Sequence, residues 1–271
     1  MNVLLFFIGQ VLPYIAGSIF LIGMTCRILR WLKVPVPFQL TIFPAPKDGA
    51  GQIAAVGTEL LFFKSLYNND KKLWIWAWLL HVSLALVIFG HVVGIYFLMN
   101  QFTLIGFTSA ASQALSSTFG TVAGIVLLIS LVVLFYRRIS EPVVKRLSDP
   151  ADYFDLILIF SIVITGNHMR LPSVHVDLPA IKAYMGGLLT FSPIAIPDNL
   201  IFISHFLLVN ILLIYFPFSK LAHLAGFFIN RAMLVEKAPV YPTPAGTPAR
   251  SAFATKQNPS GAGQPTVTRG A

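Results

Sequence analysis

Apolar residues in this chain run in long unbroken stretches instead of alternating with polar ones at a period of two or 3.6. Five stretches stand out: Val3 to Ile28, Leu73 to Met99, Leu115 to Tyr136, Phe154 to Gly166 and Leu200 to Phe218. All but the fourth reach the roughly 18 to 25 residues that a helix needs to cross a hydrocarbon core about 30 Å thick. The pattern predicts an all-α integral membrane fold, a five-transmembrane-helix bundle over residues 1–230. From residue 231 the composition turns to Pro, Gly, Ala, Thr and Ser, which predicts a disordered tail over residues 231–271.

The segments between the spans are read more coarsely. Val34-Pro35-Val36-Pro37 and Pro44-Ala45-Pro46 favour extended chain, and Gly57 to Tyr67 predicts a short interfacial helix. Arg170 to Asp198 carries Pro172, Pro179, Pro193 and Pro197 and is expected to cap one face of the bundle. The first span is too long for the apolar core of a signal peptide and has no basic leader, so it is read as a retained anchor. No internal repeat of the kind that builds transporters from two halves is visible.

Composition sharpens this picture. Hydrophobic residues make up 56% and charged residues 11% of the chain, whereas soluble domains carry roughly 25% charge. The net charge of +9 is not a nucleic-acid signature, because the basic residues lie between the apolar spans. Of the 19 lysines and arginines, all but Arg170 and Lys182 fall in the first loop, the third loop and the tail. With five spans these segments share one side, so the positive-inside bias puts the N-terminus outside and the C-terminus in the cytoplasm of a cell inner membrane. Cys26 is the single cysteine, which excludes an internal disulfide, a Cys-rich iron–sulfur site and thioether attachment of haem.

The candidate chemistry lies in histidines. His81 and His91 fall in the second span, and His205 and His223 in or just after the fifth. An ionisable residue inside a membrane is costly without a partner, and two pairs on two helices match bis-histidine ligation of two b haems. The second and fifth spans run in opposite directions, so depth pairs His81 with His223 on the inner side and His91 with His205 on the outer side. At about 100° per residue both pairs face one bundle, but ten residues rise about 15 Å and eighteen about 27 Å. A kink at Pro217 is expected to absorb part of that difference. Gly90 and Gly94 leave room either for a porphyrin or for close helix packing.

Several motifs resemble a known family. Pro13-Tyr14-Ile15-Ala16-Gly17 with Phe20-Leu21-Ile22-Gly23, the His81 to His91 spacing, and Phe216-Pro217-Phe218-Ser219-Lys220-Leu221-Ala222-His223 look like the cytochrome b (gamma) subunit of respiratory nitrate reductase. Val36-Pro37-Phe38, Phe62-Phe63-Lys64-Ser65-Leu66, Pro150-Ala151-Asp152-Tyr153-Phe154, and Thr165-Gly166 with Met169-Arg170 resemble, within that superfamily, the DsrM-type membrane cytochrome of the sulfite-reduction-associated electron-transfer complex. The resemblance implies two b haems on the four histidines and a menaquinone-type quinone as substrate near the outer haem. It also implies a cytoplasmic iron–sulfur, heterodisulfide-reductase-like partner subunit in a larger respiratory complex. The family's quinol-binding lysine has no counterpart around Ala110 to Gln113.

Asn167, His168 and Arg170 stand where an outer quinone carbonyl needs a donor or proton acceptor; the plainer alternative is an interfacial cap with Arg170 reaching to headgroups. Asp152 and Asp155 suit the positive end of a helix dipole, and Arg27, Arg30 and Lys220 suit either haem propionates or ordinary anchoring. Rival readings are a nitrate reductase gamma subunit, a haem-free membrane anchor, and a transporter whose histidines relay protons.

Overall fold

The computed structural model describes residues 3–33, 48–171, 173–174 and 176–234, and every regular element among them is a helix. Five are long and apolar enough to cross a membrane: the first span Val3–Lys33, the second Lys71–Phe97, the third Ser109–Ser140, the fourth Pro150–His168 and the fifth Leu200–Phe218. The chain is a multi-pass membrane protein.

The span ends follow from side chains that satisfy the first free backbone amides. Asp70 accepts from Leu73 N, Thr108 from Ala111 N and Asn199 from Phe202 N. At the fourth span Asp149 and Asp152 form a reciprocal capping box, which carries the helix back to Pro150, beyond the apolar run. The helix expected over Gly57 to Tyr67 forms as two, Gly49–Phe62 and Lys64–Asn69. Phe63 divides them in a left-handed conformation, φ 49° and ψ 48°, which is costly for a residue with a side chain.

One compact unit, Met1–Ile28 with Phe62–His223, holds the bundle. Within it the second span packs along the third, the third along the fourth and the fourth along the fifth. Lipid tails are as apolar as leucine, so helix association in a bilayer rests on close packing and hydrogen bonds. Leu127, Leu131 and Val163 form one packed cluster with Leu80, Leu84 and Val87 against them. The segment expected to be only a cap contains a helix, Leu178–Leu189, whose Ile181, Tyr184 and Leu188 join Ile8, Ile196, Phe202 and Ile203 in a second cluster. Tyr184 is fully buried and donates to Gly9 O at 2.6 Å; burial pushes its phenol pKa upward. Leu86, Ile88, Phe89 and Val92 of the second span are exposed, as suits contact with lipid.

The other unit is Leu29–Leu61 with Leu224–Ala271. The helix that starts at His223 continues in it to Leu234, past residue 230. The proline-rich stretch 34–47, most of the expected tail (235–271), and Pro172 and His175 lie outside the described residues.

Candidate functional site

The four histidines meet in two pairs at two levels, ten residues apart, along the second span. The rings of His81 and His223 have centroids 5.9 Å apart and planes crossed at 81°. Those of His91 and His205 lie 6.3 Å apart and nearly parallel, at 9°. An imidazole nitrogen binds a first-row metal at about 2.0–2.1 Å with its ring centre roughly 1.1 Å behind, so two rings sharing one metal stand about 6.2 Å apart. Both separations fit a shared iron.

The tautomers fit as well. His81 Nδ1 lies 2.7 Å from Ala77 O, His91 Nδ1 2.7 Å from Val87 O, His223 Nδ1 3.1 Å from Lys220 O and His205 Nδ1 3.0 Å from Ile162 O. A carbonyl only accepts, so each Nδ1 carries the proton and each Nε2 keeps its lone pair for a metal. A backbone carbonyl on the far nitrogen is the usual outer partner of a metal-bound histidine. Among the described residues no three His, Cys, Asp or Glu side chains gather as a metal-ion site; the histidines come together only as pairs. A Cβ at Gly90 or Gly94 would meet nothing within 4 Å, so neither glycine serves close helix packing, and the space beside His91 suits a porphyrin.

At the His81 end, Phe63 sets its ring edge-on to His81, centroids 5.0 Å apart. The fifth span stops being α-helical at Tyr215, tightens to a 3₁₀ turn over Phe216–Phe218 and passes through extended Ser219, φ −95° and ψ 172°, before a second short turn reaches His223. This break resolves the mismatch between ten and eighteen residues. Lys220 bridges Asp149 and Asp152 at 2.8 Å each, and Arg138 reaches Asp152 at 3.1 Å. The bond from Lys220 holds the Asp149 carboxyl below its usual range, and the two carboxylates raise Lys220. Lys220 is thus engaged by protein carboxylates, and Arg27 by backbone carbonyls of the break. Asp155, the sixth residue of its helix, is buried beyond the reach of a terminal dipole; Tyr215 donates to one oxygen and the other has no partner.

At the His91 end, Thr165 adds an oxygen 2.9 Å from His205 Nδ1. Its own proton is placed to go to Ser161 O or Ile162 O, both 2.9 Å away, so the hydroxyl accepts from the imidazole. The quinone candidates part company. Asn167 donates to Gly124 O at 3.0 Å, and Arg170 Nη1 lies 3.5 Å from Ser117 O with its guanidinium against Gly120. Asn167 ties the fourth span to the glycine-lined face of the third, while Arg170 lies across it with much of its side chain exposed, and partial desolvation lowers its pKa. His168 is exposed. Lys182 reaches Tyr96 O at 2.7 Å from the helix between spans four and five. Thr165, Phe63 and Lys182 had no assigned role from sequence; Thr165 and Phe63 do lie inside motifs that carried the family resemblance.

The sequence family described as nitrate reductase gamma subunit matches residues 63–241. The Hdr-like menaquinol oxidoreductase cytochrome b-like subunit of Archaeoglobus fulgidus is 32% identical over 260 residues, covering 82% of this chain and 77% of that protein. Its counterpart in Archaeoglobus profundus is 26% identical over 265 residues, covering 83% and 77%. The nitrate reductase gamma chain of Bacillus subtilis is 26% identical over 179 residues, covering 62% and 79%. The matched region takes in the second to fifth spans and all four histidines, and on this evidence the chain belongs to the nitrate reductase gamma subunit family.

Proposed function

We propose that this chain is the membrane cytochrome b subunit of a quinol oxidoreductase complex, with His81 and His223 holding one b haem and His91 and His205 another. The observation that carries this reading is the pair of imidazole couples at metal-sharing distance, each ring with its Nδ1 already donated and its Nε2 left free. Two b haems, when bound, supply one-electron relay between the two faces of the membrane. The chain's own work is to fix four imidazoles in the ligating tautomer and to keep apolar helices between the two sites.

With the basic segments in the cytoplasm, the His81–His223 pair is the inner one, and residues 231–271 form a cytoplasmic tail. A menaquinone-type quinone is then the outer redox partner, as supported by the names of the two archaeal relatives. His168 and Arg170 are the exposed candidates beside it, with Asn167 fixing the helix end that presents them. The same names support membership of a larger Hdr-like membrane complex; the motif resemblance favours a cytoplasmic iron–sulfur, heterodisulfide-reductase-like subunit facing the inner pair, and its DsrM-type part a link to sulfite or sulfate reduction. A gamma-subunit role in nitrate respiration is the second reading, favoured by the Bacillus subtilis match.

The test is a dithionite-reduced minus oxidised absorbance spectrum of the purified protein, with haem quantified per chain, for wild type, His91→Ala and His223→Ala. Two b haems are expected, with each substitution removing one. A folded, haem-free wild type overturns the reading in favour of an anchor or a transporter.

A further inference from the structure

Two motifs far apart in the chain, Phe20 to Gly23 and Phe216 to His223, lie against each other. Phe20, Gly23 and Arg27 are spaced i, i+3, i+7 and so line one face of the first span. The Phe20 ring meets Phe216 at 5.5 Å and 60°. A Cβ added to Gly23 would lie 2.7 Å from Pro217 Cβ, so only glycine lets the proline seat there. Arg27 Nη1 lies 2.6 Å from both Pro217 O and Ser219 O, and its two N–H bonds serve one carbonyl each. Both carbonyls belong to the turn where regular helix bonding ends, and in a low-dielectric interior such groups need a donor.

We propose that Arg27 is a positioning residue for His223, with the face Phe20–Gly23–Arg27 acting as the seat that fixes the break in the fifth span. This rests on the reading of His223 as an inner haem ligand. A straight helix would carry His223 well beyond the depth of His81. The break brings it to a 5.9 Å ring separation, and the guanidinium holds the break in the one shape that does so. The family match begins at residue 63, so the seat is supplied by a span outside the matched region.

The experiment is electron paramagnetic resonance and a redox titration of the haem-loaded protein in detergent, on wild type, Arg27→Gln, Arg27→Lys, Gly23→Ala and His223→Ala. Arg27→Gln is expected to shift or abolish the low-spin signal and the potential of the inner haem while leaving the outer haem unchanged. Arg27→Lys should recover part of the shift, and Gly23→Ala should produce a smaller shift of the inner haem alone, by displacing Pro217. An unaltered inner signal in Arg27→Gln, or equal change at both haems, overturns the positioning role. Should Arg27→Gln not accumulate, an unchanged inner signal in Gly23→Ala overturns it instead. If His223→Ala keeps both signals, the ligand assignment has failed; if it removes the inner signal while Arg27→Gln changes nothing, only the positioning role has.

Discussion

The two histidine pairs are alike in composition but are mounted differently. At the His81 end the second histidine follows a broken helix, the rings are crossed at 81°, and the frame is ionic: Arg27, Arg138, Lys220, Asp149 and Asp152. At the His91 end the second histidine lies inside a regular helix, the rings are 9° from parallel, and the frame is neutral, made of the Ile162 carbonyl and the Thr165 hydroxyl. The same side chain can therefore be held either within a frame of charges or by a few hydrogen bonds inside the bundle. The first mounting is exposed to changes of charge, and the second to the loss of single atoms.

The largest test of this contrast is spectroscopic. Crossed imidazole planes leave the iron d orbitals nearly degenerate and give a strongly anisotropic low-spin signal, whereas parallel planes give a rhombic one. If each pair holds a haem as proposed, the ferric protein should show one of each. His205→Ala should abolish the rhombic signal alone, and two signals of one type would break the contrast. A middle-sized effect is expected from Thr165→Val, which keeps the shape but removes an acceptor from His205 Nδ1–H. The His205 imidazole becomes less basic, so the potential of a haem held at the His91 end should rise, by up to about 60 mV for a tenfold change in a one-electron equilibrium. An equal rise at the His81 end in the redox titration would argue against separate mountings.

The smallest effect is assigned to Asp149→Asn. Lys220 depresses the Asp149 pKa, so this ion pair contributes at neutral pH and fades as pH falls through the lowered value. The variant should differ slightly from wild type in thermal stability near neutrality and converge with it in acid, with both haem signals unchanged. A difference that widens in acid would contradict the ion-pair account.

The five spans were legible because apolar length is a local signal, and the caps at Asp70, Thr108 and Asn199 sit where polar residues precede those runs. The juxtaposition of His81 with His223 and of His91 with His205 was legible too, since span direction alone fixes which residues share a depth. Pro217 pointed to the break, but the conformation of Ser219 did not show. The helix Leu178–Leu189 was hidden by the prolines around it, one of which, Pro179, is tolerated in the first turn of a helix. Asn167 and Arg170 were read for their chemistry, yet their partners are backbone atoms 43 and 53 residues away, which no local spacing encodes. Arg27 had the same difficulty, with acceptors 190 and 192 residues off.

The break in the fifth span also decides where the chain can change length. Between His81 and His91 the backbone is one uninterrupted helix, and a single inserted residue there turns one imidazole by about 100° and moves it about 1.5 Å. That interval behaves as a ruler. The opposite strand of the gauge, from His205 to His223, contains a stretch with no helical register to lose, so an added or missing residue near Ser219 can be taken up locally. Insertions and deletions between the ligands should therefore accumulate in descendants of this chain on the fifth span and be purged from the second.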